Sequence, residues 1–188
     1  MTVYEFDNPV RLGALGVALV DPTTRRSLST QETDALLRGE HRPNIPVDTR
    51  HLVGRRLGDI VWAELYPLVS ERVVHALDES GLTGWTTYPV VLRDERGKIV
   101  PGFHGLAILG RCRSIHIDKS RTIVVDDLEY WQGLLWDQST WDGSDFFMAA
   151  DHKTRFKLMT ARALDVLRRH RFKWFDATPT TEVRMVAY

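Results

Sequence analysis

The sequence predicts an α+β fold made of two related strand–helix–strand halves around a β-rich middle. The first observation is an internal repeat: residues 68–72 resemble residues 158–162 at an offset of 90 residues, and Pro89 and Pro179 are separated by the same offset. The second is that each copy reads as a strand, a capped helix and a returning strand. The third is that the intervening residues form short apolar runs broken by charges, which is typical of strands.

Residues 1–57 are predicted to form an N-terminal segment with one strand and one short helix. The apolar run 12–20 indicates the strand, and residues 21–24 a turn. Ser29 and Glu32 have the spacing of a capping box, and Gly39 is placed to end the helix. Prolines at 43 and 46 predict an extended, linker-like path over residues 41–50.

Residues 58–110 are predicted to form the first half. A strand over residues 65–69 leads to a helix capped by Ser70, with Gly81 as its left-handed terminator. Residues 85–92 are predicted to return as a strand, followed by a polar hairpin loop at residues 93–97. The buried face of the helix is predicted from its spacing as Val69, Val73, Ala76 and Leu77.

Residues 111–188 are predicted to form the second half, packed with the first as one compact unit. Short strands are expected at residues 105–110, 114–117 and 122–125. The second copy then has a strand at residues 156–159, a helix capped by Thr160 and a returning strand at residues 172–176. Its buried face repeats the first as Met159, Ala163, Val166 and Leu167.

Charge and cysteine content limit the classes of function. The formal net charge is zero, so the broad attraction typical of nucleic-acid binders is missing and such a partner is not expected. The single cysteine, Cys112, cannot form an internal disulfide and favours a reducing compartment. The run at residues 12–20 is too short to span a membrane. We therefore expect a cytoplasmic protein without a membrane partner, while the oligomeric state stays open.

Residues 131–147 hold the densest group of aromatic and acidic side chains. An EF-hand is excluded by spacing, because placing Gly143 at the sixth loop position puts Ala149 where a glutamate is required. Two interpretations stay open: a strand with buried aromatics followed by an Asp142 turn, or a protein-binding patch. The candidate partner-binding residues of this segment are Trp131, Trp136, Trp141, Asp142 and Asp145.

Residues 168–174 form the strongest basic cluster, with Arg168, Arg169, Arg171 and Trp174 as candidate partner-binding residues. Cations in the last turn of a helix complement its dipole. The same residues would suit an acidic protein partner, or the backbone of a nucleic acid in a defence protein.

Catalysis finds little support in the sequence. Zinc-binding, phosphate-loop, dinucleotide and serine-elbow patterns are missing, so no cofactor, metal site or catalytic residue is predicted and the chain is expected not to be an enzyme. The alternative is a small hydrolase or transferase built around His104, Cys112 and nearby aspartates. The arginines that flank Cys112 would lower the pKa of its thiol if it were exposed.

The chain resembles a bacterial family of polymorphic-toxin immunity proteins. The resemblance rests on a serine-glutamate-arginine helix start at residues 70–72, a glycine-leucine-threonine-glycine unit at residues 81–84 and an aromatic turn at residues 141–147. It covers about residues 58–183, although the second copy has Thr160 for the serine and Arg171 for the first glycine. The resemblance implies a non-enzymatic antidote that binds a cognate toxin and neutralises it by occlusion, without naming that toxin.

Overall fold

The computed structural model describes residues 1–9, 11–116, 120–126 and 128–186. Its helices are α1 (Thr30–Leu37), α2 (Glu71–Glu79), α3 (Ala161–Arg169) and a 3-10 turn (Gln138–Thr140). Its strands are β1 (Val3–Asp7), β2 (Gly16–Val20), β3 (Val47–Val53), β4 (Ile60–Ala63), β5 (Tyr66–Ser70), β6 (Trp85–Arg93), β7 (Ile99–Val100), β8 (Phe103–Ile108), β9 (Gly110–Cys112), β10 (Ile115–His116), β11 (Arg121–Val125), β12 (Leu128–Gln132), β13 (Leu135–Trp136), β14 (Phe146–Ala149), β15 (Leu158–Thr160), β16 (Asp176–Pro179) and β17 (Arg184–Val186).

Strands dominate the molecule, with 43% of residues in strands and 16% in helices. The predicted α+β class is compatible with this content in broad terms, but the protein is mostly β. Two of the three α-helices have nine residues and the third has eight, too few to cover a sheet without help from other strands. None of the helices in the described ranges is long and apolar enough to cross a membrane.

Six strands close into a barrel in the order β3-β2-β4-β5-β8-β6. Closure comes from the parallel pairing of β3 with β6, where Val47 lies opposite Val90. The closed pairing leaves no free edge among these six strands. Inward side chains such as Val17, Leu68 and Ile108 fill the main hydrophobic core.

A five-stranded sheet, β16-β1-β15-β14-β9, packs beside the barrel. Successive side chains along its strands point alternately into two hydrophobic clusters. Phe146 and Met159 face the main core, whereas Phe147 and Leu158 face a second cluster that also contains Leu134. The sheet is therefore buried on both faces, and the barrel and the sheet share one continuous core.

Helices α2 and α3 occupy positions that differ by 90 residues, as the internal repeat in the sequence predicts. Ser70 caps α2 and Thr160 caps α3, each accepting the backbone N–H three residues further on. After each helix the backbone turns left-handed, with φ of +59° at Gly81 and +55° at Arg171. The predicted caps, the predicted buried faces and the turn at Gly81 are confirmed.

The strands around the two helices pair in the same register. Pro89 of β6 lies opposite His104 of β8, and Pro179 of β16 lies opposite Tyr4 of β1. The pairings of β5 with β8 and of β15 with β1 also correspond, since Val69 meets His104 and Met159 meets Tyr4. Strand β1 thus occupies the place in the second sheet that β8 occupies in the first. The predicted N-terminal segment, residues 1–57, supplies strands to both sheets.

Several predicted boundaries differ from those observed. The second returning strand begins at Asp176 rather than at residue 172, because residues 170–175 form a turn. Strand β2 begins only at Gly16, and Leu12 is exposed. The predicted linker at residues 41–50 contains the start of β3, since Val47 pairs inside the barrel.

The capping box, the turn at residues 21–24 and the hairpin after β6 are confirmed. Residue 117 of the predicted strand 114–117 lies outside the described residues.

Candidate protein interface

Two arginines join the halves through reciprocal contacts. Arg72 donates to the Asp59 carboxylate at 2.7 Å and to the backbone carbonyl of His170 at the end of α3, also at 2.7 Å. Arg162 donates to Asp145 at 2.9 Å and to the carbonyl of Ser80 at the end of α2, at 2.6 Å. Each guanidinium therefore satisfies a helix-terminal carbonyl of the opposite half.

Asp145, a predicted partner-binding residue, is buried at this junction. Its carboxylate accepts the backbone N–H of Thr83 at 3.0 Å and the hydroxyl of Thr160 at 2.9 Å, besides pairing with Arg162. Only 7% of the Asp145 side chain is exposed, so these internal groups occupy it. The structure places this carboxylate inside the fold, where it holds the two halves together.

The other candidates from residues 131–147 lie in three different environments. Trp136 and Trp141 pack on Phe147 with ring centroids 5.0 and 5.5 Å apart and border the second hydrophobic cluster. Trp131 is half-buried on β12 in a separate three-stranded sheet. Asp142 is exposed and accepts the N–H of Arg111 at 2.7 Å. This segment therefore does not present its aromatics as one surface.

The basic cluster lies at the end of α3. Arg168 and Arg169 are exposed in its last turn, where they complement the negative end of the helix dipole. Arg171 is exposed in left-handed backbone. The chain then turns at Trp174, which is half-buried and has a φ of +73°. The structure brings these four predicted residues together around one turn.

Trp174 is held in an uncommon conformation for a bulky residue. It matches Gly84 at the 90-residue offset, where φ is +80°. Its indole lies against Gly58, where an added Cβ would come within 1.4 Å of Cδ1. The carbonyl of Trp174 accepts the indole N–H of Trp62 at 2.7 Å, while its own buried Nε1 has no partner among the described residues.

A pocket of about 180 Å³ opens beside Trp174. Its walls are largely apolar, with Pro9, Leu15, Ile60, Trp62 and Trp174, and Asn8 adds one amide side chain. Arg11 also lines this pocket, and with Lys173 it lines an adjoining depression of about 320 Å³ on the other side of Trp174. Trp174 therefore separates two concavities that share a cationic rim.

Apolar side chains are exposed around the same pocket. Leu12 is 98% exposed, Val53 is 62% exposed and lines the pocket, and Leu57 is 48% exposed beside Gly58. We call this region the Trp174 surface and define it by Leu12, Val53, Leu57 and Trp174 with the rim cations Arg11, Arg56 and Lys173.

The rim cations of the Trp174 surface are largely free for a partner. Arg56 reaches over Gly13, where an added Cβ would lie 3.6 Å from its Nε. Arg11 is 3.3 Å from Asp176 in an exposed pair, which contributes little. Within the described ranges, Arg56 and Lys173 form no ion pair. Sequence reasoning found Trp174 but missed Leu12, which falls in a run predicted as a strand, and Val53, for which no element was predicted.

A buried charged cluster lies behind Trp62, and sequence reasoning missed it. Lys157 is 3% exposed, and its ammonium is 3.9 Å from Asp7 and 5.6 Å above the Trp62 ring. Burial, followed by the nearby Asp7 carboxylate, raises the pKa of Glu5 to about 7. Burial also lowers the pKa of Lys157. The sequence did contain a signal for this cluster, because Lys157 lies between the apolar residues Phe156 and Leu158.

The residues of the catalytic alternative lie apart from the described cavities. Burial raises the pKa of the Cys112 thiol to about 11, so the expected effect of its flanking arginines does not prevail. His104 lies on β8, paired with β5 and β6. A cavity of about 720 Å³ lies between α1 and the start of β3, and neither Cys112 nor His104 lines it.

No protein-family model matches this chain, and no curated protein matches it.

Proposed function

We propose that this chain is an immunity protein that binds a cognate bacterial toxin in the cytoplasm and neutralises it by occlusion, without catalysis. The observation that carries the proposal is the Trp174 surface, an exposed apolar centre with a cationic rim. Exposed apolar patches with polar rims mark protein-binding surfaces. The resemblance of residues 70–84 and 141–147 to immunity proteins supplies the class of partner.

The charge of the rim favours a toxin whose docking surface is acidic. Arg56 and Lys173 carry charges that no described carboxylate neutralises, and Arg168, Arg169 and Arg171 extend the same sign from the end of α3. Complementary rim charges accelerate association and reject partners of the wrong sign. Trp174 supplies an aromatic anchor at the centre, the residue type that most often dominates binding energy.

The first test is to purify the tagged protein from its native host at moderate salt and to identify stoichiometric partners by mass spectrometry. A single partner with a toxic domain, whose toxicity this chain suppresses on co-expression, supports the proposal. Recovery of nucleic acid in place of protein, with binding that falls steeply as salt rises, overturns it.

Charge reversal locates the interface on that partner. We expect Arg56→Glu combined with Lys173→Glu to slow association at least about tenfold and to flatten its salt dependence, as rim charges do. Arg96→Glu combined with Lys98→Glu is the matched control, because both residues are also exposed but lie in the turn between β6 and β7. Equal association rates for the double variant and the control would show that the interface lies elsewhere.

A further inference from the structure

We propose that the pocket beside Trp174 receives one large apolar side chain of the toxin, flanked in the toxin sequence by a carboxylate. This inference rests on the proposed function for the identity of the partner. It goes further by stating which chemistry the partner must present and where that chemistry binds.

The size of the pocket fits one aromatic or long aliphatic side chain. Its volume is about 180 Å³, and an apolar protein cavity of roughly 150 Å³ is enough for benzene. The walls formed by Leu15, Ile60 and Trp62 offer apolar contact and no charge. Filling such a pocket removes apolar surface from water on both partners.

Two groups at the pocket are suited to an anionic neighbour of that side chain. Arg11 lines the pocket, and among the described residues its one ion-pair partner is the exposed Asp176. Trp174 lines the same pocket, and its buried indole N–H has no acceptor among the described residues. A carboxylate next to the inserted side chain would accept from the guanidinium, and a small shift of the indole would let it accept from Nε1 as well.

Trp174 also has two unusual features. It occupies left-handed backbone that bulky residues rarely adopt, and its buried N–H lacks an acceptor. Both features cost free energy in the free protein. A partner that supplies an acceptor recovers part of that cost, which favours the bound state.

The test uses the full chain with ¹⁵N-labelled tryptophan side chains and three capped tripeptides: Ac-Asp-Phe-Asp-NH₂, Ac-Asp-Ala-Asp-NH₂ and Ac-Lys-Phe-Lys-NH₂. Indole signals are assigned with Trp62→Phe and Trp174→Phe. We expect the first peptide to shift the Trp62 and Trp174 signals and to bind about tenfold or more tightly than either of the others. Shifts confined to Trp136 and Trp141, or equal binding of the three peptides, overturn the inference.

A plugged pocket provides the second measurement. Val53→Trp should fill the pocket entrance and abolish the peptide-induced shift at Trp62, whereas Val124→Trp, at an equally exposed valine on β11, should leave it intact. Equal loss in both variants overturns the inference. Toxin neutralisation is measured separately. If the protein neutralises its toxin but does not bind the peptides, this inference alone is wrong. If the protein has no toxin partner, the proposed function is wrong.

Discussion

At the residue scale, the clearest difference between the two halves is the exchange of a glycine for a tryptophan. Gly84 packs against Phe146 and Ser144, where an added Cβ would lie 2.1 Å from the Phe146 carbonyl. Trp174 stands at the matching position, and there the facing residue is Gly58. The half with the large side chain has a glycine facing it, so both junctions are closely packed.

This exchange predicts strong coupling between two substitutions. Gly58→Ala should lower the free energy of unfolding by about 2 kcal/mol, since its Cβ would overlap the indole of Trp174. In a Trp174→Gly background the same change should cost little. A denaturant double-mutant cycle measures this, with an expected coupling of about 1–3 kcal/mol. Additive effects would show that the two residues are not in contact.

Glu5 gives a prediction about pH. Its pKa is raised from the ordinary 4.5 of a glutamate to about 7 in the folded protein, chiefly because of burial. The folded state therefore holds a proton that the unfolded chain releases, so the contribution of Glu5 to stability is fully present below pH 4.5 and is lost as pH rises through about 7.

Glu5→Gln removes this titration. We expect the variant to be more stable than the wild type at pH 8, by at most about 3 kcal/mol, and the two to converge at pH 4. Urea unfolding across this range measures the difference, with Glu182→Gln on the exposed turn before β17 as the control. A difference that stays constant with pH would rule out Glu5 as the titrating group.

At the element scale, the sequence predicted the helices well because their signals are local. Ser70 and Thr160 are capping residues immediately before apolar periodicity, and both cap as expected. The returning strand of the second half was misplaced because Phe172 and Phe175 look like strand residues. Their positions depend on the main core and on the turn around Trp174, neither of which a local window contains.

The two carboxylates that anchor the helix pair predict unequal costs of substitution. The Asp145 side chain is 7% exposed and accepts hydrogen bonds from three residues, whereas the Asp59 side chain is 16% exposed in its pair with Arg72. Asp145→Asn should therefore lower the free energy of unfolding by about 1–3 kcal/mol, because the neutral amide accepts less strongly than the carboxylate from the buried Thr83 N–H and Thr160 hydroxyl. Asp59→Asn should cost clearly less. Thermal and denaturant unfolding compare them, and equal costs would contradict the difference in burial.

At the scale of the whole molecule, Phe6 links the barrel to the five-stranded sheet. It is 1% exposed and contacts Trp62 of the barrel at 5.3 Å between centroids and Phe146 of the sheet at 6.1 Å. Because one core serves both sheets, we expect them to unfold together.

Phe6→Ala should accordingly lower the free energy of unfolding by about 3–5 kcal/mol while leaving a single transition. Tryptophan fluorescence and far-ultraviolet circular dichroism should report coincident midpoints. Met1→Ala is the control, because Met1 is 67% exposed at the same end of the chain. Two separated transitions in the Phe6 variant would show that the sheets are independent units.

Only part of the candidate site could be predicted from the sequence. Arg168, Arg169, Arg171 and Trp174 are contiguous, so the basic cluster was visible as a string of residues. Leu12, Val53 and Leu57 come together through the pairing of residues 13–15 with residues 55–56, and Gly58 meets the Trp174 indole. Both are contacts between distant parts of the chain.

The sequence by itself determined several local units of this protein: three capped helices, some strands such as β5 and β6, and the 90-residue correspondence between two of those helices. Caps, periodicity and glycine turns act within a few residues, so a single sequence carries them. Only the tertiary structure decided that β1 enters the second sheet and that six strands close a barrel. It also buried Asp145 while exposing Leu12, because burial depends on which distant segments meet, and strand pairing over 100 residues leaves no local signal.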